Sequence, residues 1–191
     1  MRYEMDTLAD GTRLYSYDEL KSMLAETKAR RKERLLARDA VLILLYAHKE
    51  KPIYGRTALI KQLFLFFEEV VKKREIDAQE PRFVPYRFGP YSFVMMNTVD
   101  SLWHSGYIAI EGKKNSKKER FLLTEGGEKM ASELFRHLPD EVQRDIQEKR
   151  KSWDQWGGDI LQYVYTCYPR YKERSELKKK YGTIVWGQGK A

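Results

Sequence analysis

The chain has 191 residues and a mass of 22.7 kDa, which is the size of one large domain or of one domain with extensions. Hydrophobic residues make up 42% of it and aromatic residues 13%, enough apolar surface to offset the entropy cost of folding, so a disordered chain is excluded. The 36 lysines and arginines outnumber the 28 acidic residues, and the formal net charge of +8 favours polyanionic partners such as nucleic acid.

Cysteine usage and apolar runs predict the compartment. Cys167 is the only cysteine, which forbids an internal disulfide and a cysteine-cluster metal site and is typical of a reducing, cytoplasmic location. Residues 1–6 lack the apolar stretch of a secretory signal. The longest apolar run covers residues 40–47, far shorter than the ~20 residues that span a bilayer, so no membrane association is expected.

The first predicted element is a helical arm within residues 1–34. Ser16 and Glu19 fit a capping box, in which the serine hydroxyl and the glutamate carboxylate satisfy free backbone N–H groups at a helix start. A thin apolar stripe follows and predicts an amphipathic helix over 17–33. Residues 28–38 carry six basic side chains and one acidic side chain, a run that fits either a solvated helix face or a binding surface.

Two helices joined by a short connector open the predicted core. Residues 35–48 are apolar on almost all sides, which predicts a buried helix that ends before Pro52. Residues 58–73 have a wide apolar face and predict a second helix with Thr57 as its N-cap. Two helices separated by so short a turn are typical of a helix-turn-helix pair.

A third helix is predicted after a loop over 75–88 that Pro81 and Pro85 interrupt. Pro90 takes its first helical position, where the missing N–H costs nothing, and Gly106 ends it. The spacing places five residues on the core side, namely Met95, Thr98, Val99, Leu102 and Trp103. It turns another five outward, namely Phe93, Asn97, Asp100, Ser101 and His104.

A β-hairpin with a basic tip follows the third helix. Residues 107–110 and 120–123 are rich in strand-forming residues, and the polar stretch between them contains the turn formers Gly112 and Asn115. Thr124 caps a helix over 125–137. Three helices, a hairpin and a further helix are the order of a winged helix domain, so the predicted fold is α+β, mostly α, with a winged helix-turn-helix core over 35–137.

The remaining residues, 138–191, predict a helical C-terminal extension. Its helices are expected over 140–152 and 159–168, with Ser175 as the cap of a last basic helix. The fold prediction also names nine side chains that should be buried: Leu42, Leu45, Leu63, Phe64, Phe67, Val99, Leu102, Ile108 and Leu122.

Two segments resemble the Panacea (SocA-like) family. They are residues 55–65, GRTALIKQLFL, and the more specific residues 85–92, PYRFGPYS, and the resemblance covers about 35–136. Members of that family are similar in being small antitoxin-like or regulatory proteins, phage-associated or encoded beside a toxin, and no common catalytic activity is attached to them. The resemblance therefore implies an antitoxin or regulatory role, and the arm before residue 35 lies outside it.

The catalytic candidates in the sequence are weak. A metal-dependent nuclease motif is suggested by Asp100, Glu111 and Lys113. Asp100 is predicted on a helix and Glu111 at the start of a flexible wing, so the two carboxylates are not held around one metal. No metal-ligand spacing relates the three histidines, which are His48, His104 and His137. Cys167 is interpreted as a small core residue. We therefore expect no metal and no cofactor, and we predict that the chain is not an enzyme.

The predicted wing gathers positive charge. Residues 112–120 carry five basic side chains and one acidic side chain, and lysines in such a loop can neutralise phosphates and release counterions. This pattern favours a DNA-binding regulator of transcription that contacts double-stranded DNA with weak sequence readout. The predicted nucleic-acid contacts are Lys113, Lys114, Lys117, Lys118, Arg120, Arg56, Lys61, Arg82, Arg87 and Asn97.

The third helix favours a different function. No lysine or arginine lies between Pro90 and Ser105, only Asn97 matches the usual base readout, and Asp100 would repel phosphate. Aromatic residues near the start of this helix are the alternative contact, as anchors for a partner protein such as a toxin: Tyr86, Phe88, Tyr91 and Phe93. Simple packing of these rings under the wing is a third alternative, and a homodimer also stays open.

Overall fold

The computed structural model describes residues 15–23 and 34–176, and the chain divides into two compact units between residues 34 and 35. In the first unit, helix α1 covers the described residues 17–23. The backbone N–H of Ser16 donates to Glu19 Oε2 at 2.7 Å and that of Glu19 donates to Ser16 Oγ at 3.2 Å, which confirms the predicted capping box. The rest of the predicted arm, and the basic helix expected after Ser175, lie outside the described residues.

The second unit combines helices with short strands and is mostly helical, which confirms the α+β class. Its helices are α2 (Ala37–Tyr46), α3 (Arg56–Phe66), α4 (Phe93–His104), α5 (Glu125–Arg136), α6 (Asp140–Trp156) and α7 (Ile160–Cys167). Its strands are β1 (Ile53–Tyr54), β2 (Val84–Tyr86), β3 (Gly89–Tyr91), β4 (Ile108–Glu111) and β5 (Arg120–Leu123). Within the described ranges, no helix has the length and apolar character that crossing a membrane requires.

Helix α2 lies at the centre of the core, where it packs against α4, α5 and β5. Eight of the nine side chains predicted to be buried are buried: Leu42, Leu45, Leu63, Phe64, Phe67, Val99, Leu102 and Ile108. The ninth, Leu122, is half-buried, and its neighbour Phe121 points into the core instead. Successive side chains of a strand alternate between its two faces, so the inward position of Phe121 turns Leu122 away.

The predicted hairpin is present, and a third strand joins it. β4 pairs antiparallel with one side of β5, placing Ile110 opposite Phe121. β1 pairs antiparallel with the other side, placing Ile53 opposite Phe121, and the sheet order is β1-β5-β4. From the sequence, β1 is predicted only as part of a connector, because two residues carry too little pattern to predict a strand. This pairing brings the start of α3 to the loop end of the hairpin.

The segment before α4 is a second hairpin and not the predicted loop. β2 and β3 pair antiparallel around Arg87 and Phe88. Gly89 has a φ of +86°, and a Cβ at this position would lie 2.9 Å from the ring of Tyr165, so the position requires glycine. Pro90 lies in β3, which corrects its predicted place at the first position of the helix.

Helix α4 begins at Phe93, and its buried side differs from the prediction. Ser92 is its N-cap, because the serine hydroxyl accepts a hydrogen bond from the Met95 N–H at 3.0 Å. Met95 and Val99 are buried as predicted, but Trp103 is 45% exposed and Met96 is buried in its place. The outward face of α4 therefore includes an indole ring that the sequence pattern assigned to the core.

Helix α3 connects the first helices of this unit to the last ones. It begins at Arg56 after the N-cap Gly55, which corrects the predicted cap at Thr57. Its C-terminal end continues as a π-helical turn over Phe67–Val71. Helices α6 and α7 and strand β3 pack against α3, so this helix is covered on more sides than a helix-turn-helix pair alone would cover.

Candidate nucleic-acid interface

The loop between β4 and β5, residues 112–119, carries four lysines and is called the wing below. Lys113, Lys114, Lys117 and Lys118 are all exposed on it, as their predicted contact with phosphates requires. Within residues 15–23 and 34–176, none of the four ammonium groups forms an ion pair with a carboxylate. The wing therefore presents four free positive charges on one short loop.

Glu119 anchors the wing to the rest of the fold. Its side chain is fully buried, and its two oxygens accept from Arg56 Nε at 3.0 Å and from the Asn115 N–H at 2.9 Å. Its backbone carbonyl accepts from the Gly55 N–H at 2.7 Å. A buried carboxylate is tolerated only when it is paired and hydrogen-bonded, so these contacts fix the position at which the wing returns to β5.

Arg56 is committed to internal contacts and not free for phosphate. It bridges the wing and α4, because its Nε meets Glu119 and its Nη1 meets Asp100 Oδ1 at 3.1 Å. Its guanidinium also lies 5.8 Å from the centre of the Phe121 ring. The pairing changes the expected role of Asp100, since a carboxylate that is neutralised by Arg56 no longer repels a phosphate as an isolated charge would.

Lys61 cannot contact a phosphate on this surface, which corrects its predicted role. Its side chain is buried, and Nζ donates to the carbonyl oxygen of Pro90 at 2.6 Å. Burial lowers the pKa of Lys61 to about 7. The sequence of α3 alone does not show that later elements cover Lys61, whereas in the structure Leu161 and Tyr165 of α7 close over the neighbouring Gly89.

The other predicted contacts divide into paired and unpaired side chains. Arg120 pairs with Glu111 at 2.6 Å and Arg87 pairs with Glu176 at 3.1 Å, both at exposed positions where an ion pair is weak. Arg82 and Asn97 are exposed, Arg82 before β2 and Asn97 on the outward face of α4. The wing lysines, Arg82 and Asn97 are therefore available to contact nucleic acid. The predicted arginines at 56, 87 and 120 instead form ion pairs within the protein.

Three of the four predicted partner-binding aromatics form one cluster. Tyr91 lies with its ring centre 5.1 Å from that of Tyr86 and 4.9 Å from that of Phe93. Phe93 is 56% exposed and Tyr86 is 41% exposed, while Tyr91 is half-buried and burial raises its pKa. Phe88 is exposed at the neighbouring turn. The aromatic cluster therefore presents apolar ring surface to solvent at the start of α4.

An open pocket of about 190 Å³ lies between the end of α4 and the wing. Its lining consists of Arg56, Trp103, Ile110, Gly112, Lys114 and Glu119. Trp103 also contacts His104, with ring centres 4.7 Å apart. This pocket is not predicted from the sequence, because its residues come from α3, α4, β4 and the wing, and because the helical spacing assigns Trp103 to the core.

A second polar cluster joins the end of α2 to α3 and α6. Asp154 accepts from Gln62 Nε2 at 3.1 Å, lies 2.7 Å from His48 Nδ1 and pairs with the buried Arg150. Burial lowers the pKa of His48 and lowers that of Arg150 to about 9. These groups bind one another across three helices, so the cluster fixes how the helices pack.

The catalytic candidates of the sequence do not converge on one place. Asp100 and Glu111 pair with different arginines, as described above. Cys167 is exposed at the end of α7, which corrects its interpretation as a core residue. Over the ranges that the structure describes, no three histidine, cysteine or acidic side chains are grouped closely enough to hold a metal ion.

Comparison with known proteins adds no family to these observations. No protein-family model matches the chain, and a search of the curated proteins finds no match. The resemblance of residues 55–65 and 85–92 to the Panacea family stays a prediction. The wing, the pocket and the aromatic cluster are therefore the features that bear on function.

Proposed function

We propose that this protein is a cytoplasmic nucleic-acid-binding regulator with a winged helix core, and that the wing lysines contact phosphates. The observation that carries the proposal is the group of four exposed, unpaired lysines, from Lys113 to Lys118, on one loop. The order of helices and strands and the third strand β1 beside the hairpin support the winged helix assignment.

The anchoring of the wing strengthens the electrostatic argument. A flexible chain of lysines loses side-chain and backbone entropy when it binds, whereas a loop held at Glu119 presents its charges at a fixed place. If all four lysines neutralise phosphates of a duplex, the logarithm of the affinity should fall with the logarithm of salt concentration with a slope of about −3.6. Binding driven in this way is strong at low salt and nearly independent of sequence.

The outward face of α4 accounts for weak sequence readout. It offers Asn97 as the one side chain suited to bidentate contact with a base, and its acid Asp100 is neutralised by Arg56. A helix of this kind tolerates a nucleic acid beside it without specifying the sequence. Specificity between unrelated duplexes should accordingly be low.

The test of the proposal is a titration of two labelled duplexes of unrelated sequence at several salt concentrations. We expect the two affinities to agree closely at each salt concentration and to fall with the same slope. Binding of only one duplex, with little dependence on salt, would show that base contacts and not wing phosphates carry the interaction.

A second candidate is an antitoxin or adaptor that binds a partner protein through the same domain. The aromatic cluster favours it, because Phe93 and Tyr86 expose ring surface of the kind that anchors protein interfaces. In that case Phe93→Ala should cost ~2 kcal/mol or more of affinity for the product of an adjacent gene. Changes to the wing lysines should mainly alter the association rate, and calorimetry together with stopped-flow kinetics would separate the two effects.

A further inference from the structure

The pocket between α4 and the wing joins Lys114, which the proposed function uses, to surface that the proposed function leaves unused. Trp103 forms an aromatic wall, Lys114 brings a positive charge from the wing, and the paired Arg56 and Glu119 lie at its polar side. Gly112, with a φ of +85°, contributes no side chain, and a Cβ there would collide with the carbonyl of Lys118. The pocket is thus open to a flat group that stacks on the indole of Trp103 and carries a phosphate next to Lys114.

Trp103 is the unusual member of this set. An indole buries a large apolar area when it is packed, yet this one is 45% exposed while Met96 and Val99 of the same helix are buried. Exposed aromatic rings beside cations form the surface with which proteins bind unpaired nucleotides, because every base offers a flat face for stacking. Bases inside a duplex are stacked on each other and offer no such face.

We infer that this pocket holds an unpaired nucleobase stacked on Trp103, so that single-stranded nucleic acid is the preferred ligand of the surface. The inference rests on the proposed function, since Lys114 of the wing would contact the phosphate next to that base. It also explains why α4 lacks the lysine and arginine residues that contact guanine in a major groove.

A second stacking surface lies at the other end of the same helix. α4 has 12 residues and is about 18 Å long, with the aromatic cluster at its start and Trp103 next to its last residue. Asp100 is seven positions after Phe93 and three before Trp103, so it lies on the side of α4 between these ends, where it is paired with Arg56. A single strand following α4 would meet aromatic surface at both ends and this ion pair between them.

The experiment compares a labelled single strand that lacks self-pairing with the same strand annealed to its complement, at equal salt. We expect the wild-type protein to bind the single strand more tightly than the duplex. Trp103→Ala should weaken single-strand binding by about tenfold or more and leave duplex binding nearly unchanged. Trp103→Phe, which keeps an aromatic face, should retain most of the single-strand affinity.

Two controls keep the result interpretable. The melting temperature of Trp103→Ala should stay near that of the wild type, because the ring is only partly buried, and Trp103→Phe covers the case in which the alanine variant folds poorly. Equal affinity for the two forms, or unchanged single-strand binding by Trp103→Ala, would overturn the inference. If wing variants still weakened duplex binding in that case, the proposed function would stand without it.

Discussion

Lys61 and the four wing lysines are all predicted to contact nucleic acid, but the structure places them in opposite environments. Lys61 is 1% exposed, and its ammonium donates to a single backbone carbonyl on β3. Lys113 and its three neighbours are exposed on a loop anchored at only one buried residue, Glu119. Burying an ammonium group without a carboxylate partner is costly, whereas a solvated lysine keeps its full charge for an anion.

The difference shows that the elements covering a helix decide what its charged residues do. α3 is buried from Leu59 to Phe66 without interruption, and the polar Gln62 is buried together with Lys61. A helix that is apolar on nearly all sides is an interior helix. A single lysine in such a helix is therefore buried wherever neighbouring elements cover it. The wing has no such cover in the described part of the chain, so its charges are directed to solvent.

The largest expected effect comes from removing the buried charge in Lys61→Met. Burial lowers the pKa of Lys61 from 10.5 to about 7, so between these pH values the unfolded chain holds a proton that the folded chain lacks. The free energy of unfolding should therefore rise with pH in this window, by up to about 1.4 kcal/mol per pH unit, and the cost of burial is fully present below pH 7. Lys61→Met should abolish this rise and stabilise the protein at neutral and lower pH, as measured by denaturant unfolding across the window.

Lys113→Met is the matched control, because it makes the same substitution on the wing. Its unfolding should keep the pH dependence of the wild type, because this substitution leaves the buried Lys61 in place. The contrast between the buried and the exposed lysine would be contradicted if the free energy of unfolding of Lys61→Met and Lys113→Met depended on pH in the same way.

A smaller difference, in stability and in nucleic-acid affinity, is expected between variants of Glu119 and Glu111, the two glutamates of the hairpin. Glu119→Gln and Glu111→Gln each remove one negative charge, but Glu119 is buried against Arg56 while Glu111 forms an exposed pair with Arg120. We expect Glu119→Gln to cost about 1–3 kcal/mol of stability, because the buried hydrogen bonds are weakened. It should also reduce nucleic-acid affinity although the wing becomes more positive, since the lysines lose their fixed position.

Glu111→Gln should change stability by less than about 1 kcal/mol and should leave nucleic-acid affinity equal or slightly higher. Urea unfolding and binding titrations at one salt concentration measure both quantities. An equal gain in affinity for the two variants would mean that total charge alone governs binding and that the anchor at Glu119 has no role.

Local signals in the sequence predicted much of this fold. The capping residues Ser16 and Thr124, the hairpin over 107–123 and the buried face of α2 each depend on neighbours within a few residues, and the structure confirms them. The errors at Pro90 and Thr57 concern where a helix starts, a feature that pattern alone places poorly. Trp103 was misplaced because it lies at the edge of the apolar stripe.

The candidate site was harder to predict because its contacts join distant residues. Arg56 contacts Glu119, which is 63 positions away in the sequence, and no pattern near either residue indicates that the two will pair. Strand β1 exists through its pairing with β5, and Lys61 is buried through the packing of α7 and β3 against α3. Exposure of the wing lysines was predictable because a run of like charges in a turn has no local partner.

Phosphate contact through the wing is tested most directly by the salt dependence of binding in two double variants of equal charge. Lys113→Ala with Lys114→Ala removes two charges from the wing, and Arg144→Ala with Lys151→Ala removes two from exposed positions on α6. The wing variant should bind unrelated nucleic acids more weakly by the same factor and should reduce the salt slope by about 2, while the α6 variant keeps the wild-type slope. Equal losses in both variants, or no binding by the wild-type protein at low salt, would contradict the wing as the phosphate-binding surface.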